Sequence, residues 1–261
     1  MKQEAIHSYL EDFFRASGCD ILDLRPRFIK VKLTIEMDKK LMNRPFYWHY
    51  VEKIGARPET QTLAFKTDPA GEEGEFIHFG SPRLHHIFSL SKELGRYVRL
   101  YENARPNGGS LPLYPWLGLN FKISFQCDLK RDELMSLGIN LFNGTIVKAF
   151  HETVEALPLS PRIPDYCFTL GPMIKPLSAV NRLFAVIEAF IRRQDDAWAM
   201  EAQERLRNDL ELLERFYEDI EGDAYRDAFE KERDALMEQY KPRILVSIIN
   251  GGLFYLTGTA F

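Results

Sequence analysis

Cysteine is scarce in this chain. Among 261 residues only Cys19, Cys127 and Cys167 occur, odd in number, widely spaced and without a CxxC pair. That set excludes a disulfide scaffold and fits reduced thiols in a cytosolic protein. An excess of positive charge is also missing. The 34 Lys and Arg stand against 38 Asp and Glu, a net charge of −4, so no global positive field holds nucleic acid by charge alone. A long apolar run is lacking as well. Residues 244–261 carry no charge, but Ser247, Asn250, Gly251, Gly252 and Thr257 interrupt them. A spanning helix needs about 20 mainly apolar residues. The first 18 residues are charged throughout, have no apolar h-region and do not read as a secretory signal. No membrane association and a cytoplasmic location are expected.

Chemical motifs are absent in turn. There is no GxxxxGK[ST] and no GxGxxG after a strand to cradle nucleotide phosphates, no HExxH, no GxSxG and no zinc spacing of Cys and His. His85 and His86 are adjacent, but neighbours on a helix diverge by about 100° and do not chelate. The expectation is a protein without catalytic residues, metal or cofactor.

What is present is ample core material: 45% hydrophobic residues, with 19 Phe and 11 Tyr. Ile6, Leu10, Phe13 and Phe14 share one face of a first helix that closes near Gly18. From Leu24 to Ile35 the chain alternates. Ile29, Val31, Leu33 and Ile35 point one way and Lys30, Lys32 and Thr34 the other, a half-buried strand with a basic face. Pro45 and Gly55 bracket a short helix. Strands follow near 60–66 and 75–79, then a helix opened by Pro82 with Leu84, Ile87, Phe88, Leu94, Tyr97 and Val98 inward. Residues 103–115 read as a loop. Leu117–Gln126 is the clearest strand, Met135–Leu141 repeats its pattern, and Asn143-Gly144 signals a type I′ hairpin into 145–150.

Beyond the proline-rich boundary at 158–176 the composition changes. Residues 177–241 hold 10 Lys and Arg against 17 Asp and Glu, with apolar residues at helical spacing and a break at Gly222-Asp223. The predicted fold is α+β: an antiparallel meander of the strands near 27–35, 60–66, 75–79, 117–126, 133–142 and 145–151 with packed helices. A long acidic helical hairpin spans about 178–240. A C-terminal strand, Ile244–Ile249, returns to the sheet with Ile244, Val246 and Ile248 buried, and Asn250-Gly251-Gly252 is its turn. The corresponding domains are 1–176, 177–241 and 242–261.

Three surfaces are candidates for function. Asn43 to Glu52 places Phe46, Tyr47, Trp48 and Tyr50 beside Arg44. Aromatics on every side of a helix are read either as a helix packed between layers or as a platform for a partner or a base. Arg25, Arg27, Lys30, Lys32, Lys39 and Lys40 form a basic face, or simply a solvated edge. Arg215, Glu218 and Asp219 mark a helical docking surface.

The run Asn43-Arg44-Pro45-Phe46-Tyr47-Trp48 with Val51-Glu52, and the ending Arg243-Ile244 with Ile249-Asn250-Gly251-Gly252-Leu253-Phe254-Tyr255-Leu256, resemble the YqhG family of Bacillus and its relatives over the whole chain. That family has no assigned activity, so the resemblance carries over no catalytic residue. Glu214-Arg215-Phe216-Tyr217-Glu218-Asp219 and the later Glu238-Gln239-Tyr240 are similar to the accessory region after the motor in bacterial Swi/Snf-type, RapA-like ATPases. What the two resemblances imply is a non-catalytic accessory protein of such an ATPase, beside which members of the family are encoded. The alternative is a nucleic-acid-binding module using the basic strand face and exposed aromatics.

Overall fold

The computed structural model describes residues 2–70, 73–106, 108–218 and 223–258. They form two compact units, 1–95 and 96–261, in an α+β fold. The first contains α1 (Gln3–Ala16), β1 (Asp20–Arg25), β2 (Phe28–Lys32), α2 (Ile35–Leu41), α3 (Pro45–Ile54), β3 (Thr62–Lys66), β4 (Glu75–Phe76) and α4 (Pro82–Leu94). The second contains β5 (Tyr97–Glu102), β6 (Leu111–Gln126), β7 (Lys130–Asn140), β8 (Ile146–Lys148), α5 (Phe150–Glu155), β9 (Leu159–Ser160), β10 (Cys167–Thr169), α6 (Pro176–Ile191), α7 (Ala197–Tyr217), α8 (Asp223–Tyr240) and β11 (Arg243–Leu256). No helix among the described residues is long and apolar enough to cross a membrane.

The strands expected in one antiparallel meander divide between two mixed sheets. In the first unit the order is β1-β2-β3-β4, with β4 parallel to β3. Ile29 and Val31 of β2 point into a core with Ile6, Leu10 and Phe14 of α1, while Lys30 and Lys32 face out. The alternation stops earlier than expected. Thr34 caps α2, its hydroxyl accepting from the Met37 amide at 3.2 Å, and Ile35 opens that helix and is exposed. α4 likewise ends at Leu94, because Gly95 closes it and Tyr97 and Val98 begin β5.

In the second unit the order is β8-β7-β6-β11-β5-β9, with β11 parallel to β5 and β10 parallel to the first residues of β6. Strand β6 runs through the expected loop, and Pro112 and Pro115 lie within it. The Asn143-Gly144 turn is wider than a two-residue type I′ turn. Asn140 intervenes: its Oδ1 accepts from the amides of Phe142 and Asn143, and Gly144 takes a φ of 84°. Leu117, Leu119, Phe121, Ile123 and Phe125 of β6 pack under α6 through Leu183 and Ile187. Helix α6 therefore belongs to the sheet, and the helical hairpin is α7 and α8 alone. The reason is the apolar stripe of α6, which the exposed hairpin has no core to cover.

The other face of this sheet is built on glycine. Gly138, Gly118 and Gly252 are directly opposite one another across β7, β6 and β11. Phe150 lies over the first two, where an added Cβ on Gly118 or Gly138 would overlap its ring. Trp116 stacks on Phe150 at 5.7 Å and Phe254 meets it edge-on at 5.4 Å.

The C-terminal segment returns to the sheet, but not as a strand and a turn. It is one 14-residue strand against β6, and Asn250-Gly251-Gly252 follows a bulge at 248–250. A side chain at Gly251 would meet Leu119 and Gly118, and one at Gly252 would meet Val98, so glycine lets β6 and β5 close from both sides. Pairing with β5 covers 251–255 alone. Ile244 and Ile248, expected to be buried, are accordingly 39% and 46% exposed, and Val246 is half-buried, whereas Leu256 is fully buried.

The Gly138→Ala variant places a methyl group inside the packed Phe150 ring. Overpacking of a buried site costs about 1–3 kcal/mol. The urea midpoint should fall accordingly with an unchanged m-value, and an unaltered midpoint would contradict this packing.

Candidate functional site

The aromatic motif is organised around a buried carboxylate. Asp38, at the middle of α2, is fully buried. Its oxygens accept from Arg44 Nη2 at 2.6 and 2.5 Å, from Trp48 Nε1 at 3.1 Å and from the Gln61 amide at 2.6 Å. Burying an anion without partners is costly, and these donors satisfy both oxygens. Pro45 occupies the first turn of α3 and Gly55 ends it with a φ of 66°. Arg44 also lies 4.4 Å over the Tyr47 ring, and the Tyr47 hydroxyl donates to Glu59 O at 3.0 Å.

This arrangement settles where each aromatic stands. Trp48 is buried and its N–H is committed to Asp38. Tyr47 is half-buried. Phe46 and Tyr50, one turn apart on α3, are 89% and 62% exposed. The helix thus serves as core on one side and leaves two rings in solvent on another.

The C-terminal turn of α2 and the first turns of α3 and α4 enclose a cavity of about 710 Å³. Its lining includes Lys39, Lys40, Arg44, Arg83 and His86, with Met42, Pro45 and Trp48, and no carboxylate among the described residues. The acids that pair with these cations lie outside the lining: Glu52 with Lys39, Glu36 and Glu93 with Lys40, and Glu75 with Arg83. Arg83 also donates to Leu41 O at 3.2 Å, which ties α4 to the end of α2. The buried Arg44 Nε has no protein acceptor among the described residues. The N-termini of α3 and α4 bring partial positive charge to the same groove, and the C-terminus of α2 brings partial negative charge. The chemistry of the lining suits an anion. Among the described residues no three His, Cys, Asp or Glu side chains converge as metal ligands.

Of the expected basic residues, Lys39 and Lys40 join Arg44 and Trp48 here. Arg25 and Arg27 line a separate cleft with Lys66 and Asp68, and Lys30 and Lys32 face Asp23 and Asp20 across β1. Arg83 was missing from the sequence reading, and His86 entered it only as one of two adjacent histidines that do not chelate. Their distance of some 40 residues from the motif left no local signal beyond the start of a helix at Pro82.

The hairpin α7–α8 is anchored at one end. Arg205 donates through Nε and Nη2 to Asp128 in the β6–β7 turn, at 2.6 and 2.9 Å, and Tyr240 bonds Asp209 at 2.5 Å. The Arg205 hydrogen bond holds the Asp128 carboxyl down at about 2. Arg215 and Glu218 are exposed, next to Leu212 and Phe216, which are also exposed. Asp219 lies outside the described residues.

Two measurements check these anchors. Asp38→Asn leaves Arg44 opposite a neutral amide and should cost about 2–4 kcal/mol in urea unfolding, since removing one partner strands the other charge. For Asp128 the folded-state pKa lies below the ordinary value of 3.8. Its ion pair therefore contributes fully above that value and is lost as the pH falls towards about 2. The stability gap between the native chain and Asp128→Asn should be present at pH 5 and close by pH 2. A gap independent of pH would disprove the pairing.

Comparison with known proteins places this geometry in a family. The model of the family described as "Bacterial protein YqhG of unknown function" matches residues 1–256. The Uncharacterized protein YqhG of Bacillus subtilis (strain 168) is 45% identical over 260 residues, covering 98% of each chain. With the family match spanning both units, the Asn43–Glu52 motif and the C-terminal strand, the chain belongs to the YqhG family.

Proposed function

We propose that this chain is a non-catalytic accessory protein of a Swi/Snf-type, helicase-like ATPase, working in DNA or RNA transactions, and that the ATPase docks on the α7–α8 hairpin. One observation carries the reading. Leu212 and Phe216 sit one turn apart on α7, 62% and 69% exposed, on a helix that carries five acids against three bases. Large apolar side chains at this spacing are anchors that a partner's groove takes up. Buried side chains of the described hairpin are confined to its anchored end, Ala202 near the start of α7 and Tyr240 at the end of α8. The rest stands clear of the sheet for a partner to approach. Arg215 and Glu218 flank the anchors and supply charged contacts that select the orientation. The similarity of this stretch to the accessory region of RapA-like motors supports the choice of partner.

The test is capture of the Swi/Snf-type ATPase on the tagged, full-length chain from native cells, followed by reconstitution with the purified ATPase. Native chain should retain the ATPase, and Leu212→Ala with Phe216→Ala should reduce retention at least tenfold. Because both residues are exposed, the double variant should melt as the native chain does. Equal retention by the variant, or no ATPase bound by the native chain, would overturn the proposal.

A further inference from the structure

We infer that the cationic groove of the first unit, together with the exposed rings of α3, binds a segment of single-stranded nucleic acid. The phosphates would lie in the groove and a base would stack on Phe46 or Tyr50. Two separate observations meet here. The first is the groove: about 710 Å³, with Lys39, Lys40, Arg44, Arg83 and His86 along its lining and no lining carboxylate among the described residues. A pocket of this size is large enough for a nucleotide-sized ligand. Four permanent cations spread along one cavity fit several negative charges in a row better than a single carboxylate.

Those cations are already paired, and the nature of the pairs decides whether an anion can enter. Lys40 meets Glu36 at 3.4 Å and Glu93 at 3.6 Å, and Arg83 meets Glu75 at 3.3 Å. The carboxylates in these pairs are exposed, and exposed pairs contribute little. An entering phosphate exchanges one weak partner for another and gains the release of its own counterions. Arg44 differs, because Asp38 holds it on the inner side. It supplies a fixed positive wall rather than a mobile clamp.

The second observation concerns α3. Its first turn forms one wall of the groove through Pro45, and the next residue, Phe46, is 89% exposed. Tyr50 stands one turn further on the same helix. Neither ring is in the groove lining, so a strand would pass from the groove around the first turn of α3 to reach them, which bases free to stack allow and a duplex does not. Inorganic phosphate or a mononucleotide would use the groove alone. A strand would use the groove and the rings together.

The experiment is fluorescence anisotropy of fluorescein-labelled dT and U 20-mers with the full chain, between about 50 and 200 mM salt. The 20-mers should bind and weaken with salt. Replacing Lys39 and Lys40 together by Gln should lower the salt slope by about 1.4, for two phosphate contacts at about 0.7 each. Phe46→Ala with Tyr50→Ala should weaken binding about tenfold while leaving the slope unchanged. Phe46 and Tyr50 are exposed, so that pair should melt as the native chain does, and the lysine pair, which gives up its ion pairs with Glu52, Glu36 and Glu93, should melt only slightly lower. Absence of binding at the lowest salt, or an unchanged slope in the lysine variant, would overturn the inference. So would displacement of the 20-mer by equimolar inorganic phosphate or adenosine monophosphate, or equal affinity for a 20-base-pair duplex. The hairpin variant Leu212→Ala with Phe216→Ala should bind the 20-mers normally, so this result is separable from the fate of the ATPase proposal.

Discussion

The Asp38 carboxylate is the constraint on which the groove depends. Its burial demands donors, and the four hydrogen bonds that it accepts come from Arg44, Trp48 and the approach to β3. A single anion therefore fixes α2, the start of α3 and the segment entering the sheet. Replacing this set by apolar side chains could be as stable, because buried ion pairs rarely out-stabilise good packing. What the charge provides is direction. Arg44 is held with its guanidinium between Asp38 and the groove, and the α2 turn presents Lys39 and Lys40 beside it. The same device explains why a helix with aromatics on every side is stable: the Trp48 N–H has a buried acceptor in Asp38, and Phe46 and Tyr50 stand in solvent on another side of the helix.

In the second unit the corresponding constraint is close approach. Strands β7, β6 and β11 carry Gly138, Gly118 and Gly252 in one row, and Phe150 settles where side chains would otherwise stand. The sheet is thus packed on both faces, by α6 on one and by Phe150 with Trp116 and Phe254 on the other. The first half of β11, beyond its pairing with β5, is left at an edge. Pro242 before it and the bulge at 248–250 are features that blunt unpaired edges. An uncharged C-terminal run is here a long, partly covered sheet strand.

How much of this was legible follows from the range of each interaction. Period-2 alternation revealed β2, which buries one face, and β6, whose alternate apolar positions from Leu117 to Phe125 pack under α6. Pro45 and Gly55 revealed α3, because caps act within a turn. The misreadings have a common cause: a side-chain hydrogen bond or a distant strand decided the local backbone. Thr34 turned the end of an alternating run into a helix cap, and Asn140 widened the Asn143-Gly144 turn. Asn250-Gly251-Gly252 read as a turn, although those glycines answer to β6 and β5 from either side. The motif at 43–52 stood out in composition, but nothing in the sequence around Asp38 marks it as the buried partner of that motif. Arg83 and His86 could be joined to it only by the fold.

Net charge was the least informative quantity for the site. The chain carries −4 overall and the stretch 177–241 holds 17 acids against 10 bases, which argues against a nucleic-acid partner if charge acts at long range. At physiological ionic strength it does not, since screening confines exposed charges to about 8 Å. Within that distance the arrangement of charges matters more than their sum. In the first unit the cations line the cavity and their carboxylate partners are outside its lining. An anion outside the cavity meets an almost balanced surface, and one inside it meets Lys39, Lys40, Arg44 and Arg83 at close quarters. Selectivity of this kind operates on entry and not on approach, and it needs no excess of positive charge anywhere else in the molecule.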